Sequence, residues 1–481
     1  MKAKARKTII FILLFSLIFT AAGCGKNNDE SAANDISKED KGLEVTENGV
    51  TENGVTENGL SVTDKDLAEN SLSANEKVVL GDECFDEYIP LLEGKRVALY
   101  SNQTGVVRTQ VTYSEVSETM FDSDFIGVHI LDALISKGVN VTLIFSPEHG
   151  FRGDADAGAS VDDSLDAKTG VPIKSLYGGG SITSDGAMDK FDTLVIDIQD
   201  IGVRYYTYYI TMYNLMNECA DAGKSVILLD RPNPNGFYVD GPILKDEFKS
   251  GVGMLKLPVV HGMTLGELAL MINGEGWLRA GADSLDLTVI KCKDYCHNDL
   301  YKLVKRPSPN LKDMRAVYLY PSTCYFENTV VSVGRGTEYP FEIYGSPYFE
   351  GIDGYDYLFT PVSMEGAKNP QYEGITLTGK SLLDTEIASI QKEGINLEYL
   401  ISAYADYTKN YSDGKFFGNP DKNGHYWIDL LMGTDEVRLK IVEGVKAEDF
   451  EVKALADEIE DSWKDELTEF SGIRGKYLLY E

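Results

Sequence analysis

Positive charge is what this chain lacks most. It has 45 Lys and Arg against 77 Asp and Glu, a formal net charge of −32. That imbalance excludes a basic face for nucleic acid or anionic lipid. An anionic substrate would have to be met by a few focused arginines. Only 5 histidines and 6 cysteines are present. No His-x-x-x-His pair occurs, so no metal is expected. Cys84, Cys219, Cys292, Cys296 and Cys324 form an odd set in a chain far larger than a disulfide miniprotein, so free thiols are expected. Also missing are a Gly-x-Gly-x-x-Gly fingerprint, a Walker loop and a Gly-x-Ser-x-Gly elbow. Their absence argues against a nucleotide cofactor and against a serine esterase; no cofactor is expected.

Long apolar runs are equally scarce. One, Thr8–Phe19, follows Lys2, Lys4, Arg6 and Lys7. This is the pattern of a secretory signal, too short to span a bilayer. It ends in Ala21-Ala22-Gly23-Cys24, which resembles the lipobox of bacterial lipoproteins. By that resemblance residues 1–23 are removed and Cys24 carries lipid. Residues 24–76 read as an acidic, disordered tether containing Val45-Thr46-Glu47-Asn48-Gly49 and two further copies. The expected location is extracytoplasmic and lipid-anchored, and the long tether suits a Gram-positive envelope.

From Lys77 onward the pattern is globular, and its length predicts two domains, 77–305 and 306–481. Strands are expected at Lys95–Tyr100, Val139–Phe145, Phe191–Ile196, Ser225–Leu229 and Leu285–Lys291, and helices at Val128–Ser136, Tyr205–Ala222 and Thr264–Trp277. This alternation predicts an α/β fold: a Rossmann-like, doubly wound parallel sheet. The boundary falls near Arg306-Pro307-Ser308-Pro309-Asn310, where prolines disfavour helix. A smaller C-terminal α/β (α+β) domain should follow and close over the first.

Polar clusters end four of the strands: Ser101-Asn102-Gln103-Thr104, Ser146-Pro147-Glu148-His149-Gly150, Asp197-Ile198-Gln199-Asp200 and Asp230-Arg231-Pro232-Asn233. If the strands are parallel, these ends share one rim, where ligands of open α/β sheets bind. Glu148 is the first residue to suspect of acid chemistry. The second domain adds a polar run, Tyr320–Thr329, and then Gly334-Arg335-Gly336-Thr337.

These blocks resemble a known family. Ser146–Gly153, Asp197–Tyr208, Asp230–Pro234, His261–Glu267, Pro307–Asn310 and Gly334–Thr337 are similar, in the same order, to signature blocks of the NamZ-type exo-β-N-acetylmuramidases. One departure is Asn235-Gly236, where that family often has paired glycines. The resemblance implies a Rossmann-like domain, a C-terminal α/β domain and a cleft between them. It implies removal of non-reducing terminal N-acetylmuramic acid from peptidoglycan fragments, with a catalytic glutamate matching Glu148. A non-catalytic, lipid-anchored muropeptide-binding protein is the alternative.

Glycoside cleavage needs an acid on the leaving oxygen and a group that supports the oxocarbenium-like sugar. Glu148 fills the first role. Glu327, Asp197 and Asp200 compete for the second, unless the substrate acetamide itself assists. Muramic acid differs from glucosamine by a lactyl carboxylate, and arginine matches a carboxylate with a bidentate fork. Arg152, Arg204, Arg231 and Arg335 are the candidates for that contact. His149, His261 and Asn102 complete the expected substrate-binding set. The expected partners are muramyl saccharides, and the membrane through the lipid.

Overall fold

Apolar stretches of four to seven residues build the centre of the molecule. A computed structural model describes residues 77–111, 125–147, 151–152, 164–176, 182, 184–411 and 414–481. The signal segment, Cys24, the tether, Glu148 and His149 lie outside the described residues. The strands of the first lobe are β1 (Arg96–Ser101), β2 (Val106–Val111), β3 (Phe125–His129), β4 (Asn140–Ser146), β5 (Ser164–Leu165), β6 (Pro172–Ser175), β7 (Thr193–Asp197), β8 (Ser225–Leu229) and β9 (Leu287–Ile290). Seven of them form one sheet in the order β5-β6-β4-β1-β7-β8-β9. All neighbours are parallel except the short edge strand β5. Both faces are covered, which is why β7 and β8 are apolar over Leu194–Ile196 and Val226–Leu229.

Strand order fixes where a ligand can sit. From β1 the chain runs outward through β4 and β6, then returns to the other side of β1 for β7, β8 and β9. The switch point therefore lies between β1 and β7, where Tyr100 pairs with Ile196 and Ser101 with Asp197.

Local signals set the helix ends. Thr264 caps the helix Leu265–Gly274: its Oγ1 accepts the Glu267 N–H at 3.2 Å, and Glu267 Oε2 accepts the Thr264 N–H at 2.9 Å. The helix expected from Tyr205 begins at Tyr208. Tyr205 and Tyr206 lie in the preceding turn, their hydroxyls committed to the Pro321 and Pro307 carbonyls. The helix expected over Val128–Ser136 is corrected at its start. Val128 and His129 pair with Val107 and Val106 in a β2–β3 hairpin absent from the sequence reading. The helix Ile130–Ser136 follows, with His129 Nδ1 accepting the Leu131 N–H.

The second lobe opens with the helix Met314–Thr323 and the 3-10 turn Cys324–Phe326. The run Tyr320–Phe326, expected as a polar cluster, is thus the buried end of a helix. A small antiparallel sheet follows, β10 (Ile343–Ser346), β11 (Tyr357–Phe359) and β12 (Leu377–Ser381), in the order β10-β12-β11. The helices Glu398–Asn410, Trp427–Met432, Glu436–Gly444, Val452–Asp461 and Lys464–Arg474 complete the lobe. One hydrophobic core runs through both lobes, from Val78 to Tyr480. Residues 479–480 return to the first lobe: the Tyr480 hydroxyl donates to Asp230 Oδ2 at 2.7 Å, and the Leu479 N–H donates to Glu267 Oε1 at 2.8 Å. The five cysteines from Cys84 to Cys324 form no disulfide.

Candidate active site

The parallel strands bring the predicted rim together. Asn102 after β1 and Asp200 after β7 flank the switch point, and both are buried. Asn102 Oδ1 accepts the Thr104 hydroxyl at 2.6 Å, and Thr104 Oγ1 in turn accepts the Gln199 N–H at 2.9 Å. A short hydrogen-bonded chain thus ties the two strand ends. Asn102 Nδ2, Gln103 Oε1 and Asp200 Oδ2 are buried and have no hydrogen-bond partner among the described residues. Buried polar atoms are nearly always paired, so three orphans at one sheet edge mark a place shaped for something else.

Asp200 is the most telling of these. Its Oδ1 accepts the Gly202 N–H at 2.7 Å, and burial pushes its carboxyl up to about 7. Gly202 holds this turn at φ 74°, where a Cβ would lie 2.2 Å from the Asn233 side-chain amide. Asn233 is itself fixed to the Met263 carbonyl at 2.9 Å.

Asp197 takes a different part. Arg231 Nε donates to Asp197 Oδ1 at 2.6 Å, and Arg231 Nη2 donates to Asp82 Oδ2 at 2.6 Å and to Asp197 Oδ2 at 3.1 Å. All three side chains are buried, and burial holds the Asp82 carboxyl well above its usual range. This is an internal ion triad that takes up both Asp197 oxygens and the Nε and Nη2 of Arg231.

Two more sequence candidates lie in the interior. Arg204 is fully buried and donates to the Pro242 carbonyl at 2.7 Å, the Leu431 carbonyl at 2.8 Å and the Leu257 carbonyl. It pins the helix Trp427–Met432 to the first lobe. His261 is fully buried, and burial takes its pKa down to about 3. Its Nδ1 accepts the Met263 N–H at 3.2 Å. Arg152 binds Asp166 through Nε at 2.6 Å and Nη2 at 3.0 Å, and reaches Asp132 at 3.2 Å. That network drives the Asp166 carboxyl well below its usual range. Arg152 neighbours Phe151, whose ring meets His129 edge-on at 4.6 Å between centroids.

Glu327 and Arg335 stand together in the second lobe. Arg335 Nε and Nη2 both donate to Glu327 Oε1, at 2.8 and 2.5 Å. Glu327 is 22% and Arg335 35% exposed, so the pair opens on a groove of ≈550 Å3. An aromatic relay joins it to the rim: Tyr206 meets Tyr320 at 6.3 Å, Tyr320 meets Phe341 at 4.8 Å, and Arg335 lies over Phe341 at 5.0 Å. Phe341 holds φ 70°, an outlier for a bulky residue. Nearby Glu342, buried beside Asp313, is pushed up to about 8, chiefly by burial. Trp427, Asn369 and Gln371 also line the groove. Sequence reasoning missed them, because isolated amides and one indole far along the chain form no motif.

Sequence comparisons accord with this architecture. The family model described as exo-beta-N-acetylmuramidase NamZ, N-terminal, matches residues 97–315, and its C-terminal counterpart matches residues 318–480. The chain is 31% identical over 436 residues to the peptidoglycan beta-N-acetylmuramidase NamZ of Bacillus subtilis (strain 168), covering 86% of this chain and 94% of that protein. Two crystal structures of DUF1343 family proteins from Bacteroides fragilis NCTC 9343 share the fold. One is 46% identical with a TM-score of 0.69, the other 28% identical with a TM-score of 0.67. Each covers 84% of this chain and 99% of its own.

Proposed function

Because the chain belongs to the exo-beta-N-acetylmuramidase NamZ family, and so is a glycoside hydrolase, we propose that it removes non-reducing terminal N-acetylmuramic acid from peptidoglycan fragments. The single observation that carries this reading is the match of both family halves, in order, along one chain. We assign the general acid to Glu148, the glutamate of the Ser146–Gly153 block. Of the three candidates for the second carboxyl group we set aside Asp197, both of whose oxygens bind Arg231. Asp200 is held neutral up to about 7 by burial, so it suits a hydrogen-bond donor or a second acid. Glu327 faces the groove beside an arginine and suits the group that supports positive charge or orients the acetamide. For the lactyl carboxylate we assign Arg335, which opens on the groove beside Glu327. The enzyme acts outside the cytoplasm, held by lipid on Cys24 and the tether, in turnover and recycling of the cell wall.

The test is release of free N-acetylmuramic acid from a muramyl-terminated disaccharide, run beside a chromogenic muramyl glycoside. Glu148→Gln should abolish turnover with an unchanged melting temperature. Full activity in that variant would remove the acid assignment. Binding without turnover by the wild-type protein would overturn the enzyme reading in favour of a binding module.

A further inference from the structure

The groove of the second lobe has one wall whose chemistry the reaction so far leaves unused. Trp427 is partly exposed there, and its buried Nε1–H has no acceptor among the described residues. The two other tryptophans differ: Trp463 donates to Asp240 Oδ1 at 3.0 Å, and Trp277 lies outside the groove. An indole with a free face and an uncommitted donor, set among amides, is a surface made for a polar ring with an apolar side. A pyranose presents that pair of faces.

The wall is held rigid. Trp427 opens the helix Trp427–Met432, with Asp429 Oδ2 accepting the Tyr426 N–H at 2.9 Å. Arg438 clamps Asp429 through Nε at 2.7 Å and Nη2 at 3.1 Å. Arg204 ties the far end of the same helix to the first lobe. Opposite, Asn328 stands at φ 62°, and the chain of Gly418 approaches it so closely that a Cβ would lie 2.2 Å from the Asn328 carbonyl oxygen. Gln371 donates to the Thr329 carbonyl at 2.8 Å, which fixes the amide across the groove, and Asn369 is exposed at the rim. Donors and acceptors on a rigid frame, rather than a flexible apolar trough, favour a sugar over a peptide helix.

We propose that Trp427 is a specificity-determining residue: its indole stacks on one ring of the bound N-acetylated saccharide, and Asn369 and Gln371 take the polar edge. This deepens the muramidase reading and rests on it. Trp427 touches no reacting bond, so its removal acts on KM and leaves kcat.

The experiment pairs kinetics with intrinsic fluorescence, using a muramyl–glucosaminyl disaccharide. Trp427→Ala should raise KM about tenfold or more with kcat kept within about twofold. Trp427→Phe, which keeps a ring but offers a smaller face, should fall between, and it stands in if the alanine variant does not fold. Asn369→Ala should raise KM with the indole intact. Titrating Glu148→Gln with the disaccharide should quench tryptophan emission, and the same titration of the Glu148→Gln, Trp427→Phe double variant should not. Unchanged KM in the Trp427 variants, or quenching that survives loss of Trp427, overturns the proposal. If the wild-type protein shows no hydrolysis, the muramidase reading falls first. The titration still decides the groove: no quenching by the disaccharide overturns it as well.

Discussion

Arg204 was a candidate for the lactyl carboxylate, and the structure makes it a pin between lobes. Consider Arg204→Met. The Pro242, Leu257 and Leu431 carbonyls each lose a charged donor. A buried polar group left without its partner costs about 1–3 kcal/mol. Part of that sum is returned. Arg204 is wholly buried with no ion-pair partner among the described residues, and burial lowers its pKa to about 10, a sign that its charge is costly to hold there. The net expected loss is about 3–5 kcal/mol. For a folded region of this size, that is a fall of about 5 °C in melting temperature. The assay is differential scanning calorimetry, with kinetics on muramyl and glucosaminyl aryl glycosides at a temperature where the variant stays folded. The muramyl preference should survive. A variant that melts like the wild type yet loses that preference would refute the pin and return Arg204 to the binding set.

Asp200→Asn tests the buried carboxyl. Its folded pKa is raised to about 7 from 3.8, so the proton's contribution to stability is complete below about pH 4 and gone above about pH 7. Asparagine imitates the protonated form. The variant should equal the wild type near pH 4 and exceed it by a few kcal/mol near pH 8, read by urea unfolding; parallel pH curves for the two proteins would contradict this. Arg231→Met leaves Asp82 and Asp197 facing each other without their cation, at a cost of about 3–5 kcal/mol. The loss should be larger near pH 8 than near pH 5, because burial already opposes the charge on Asp82 and the cation that offsets it is gone; an equal loss at both would count against the triad.

The central sheet was legible because buried parallel strands must be apolar along their whole length. Val139–Phe145 and Ser225–Leu229 therefore announced themselves, and their polar ends announced the rim. Hydrogen-bond partners were not legible. Arg204, Arg231 and Arg335 look alike in a sequence, yet one meets three carbonyls, one two carboxylates, and one a carboxylate at a groove. Those partners lie up to 227 positions away, as Leu431 does from Arg204, and no local pattern records them. The β2–β3 hairpin was hidden for a local reason: Val128, His129, Ile130 and Leu131 fit a helical stripe until His129 is seen capping the helix instead of joining it. Trp427 was hidden by isolation.

Tyr480 sets the order in which the first lobe can be finished. Its hydroxyl closes the end of β8 from 250 positions away, on the same Asp230 that Thr264 also binds. A chain emerging from one end presents β8 long before that latch arrives, and contacts so distant in sequence form late. The end of β8 is therefore latched only after the second half has threaded back to the Rossmann-like half.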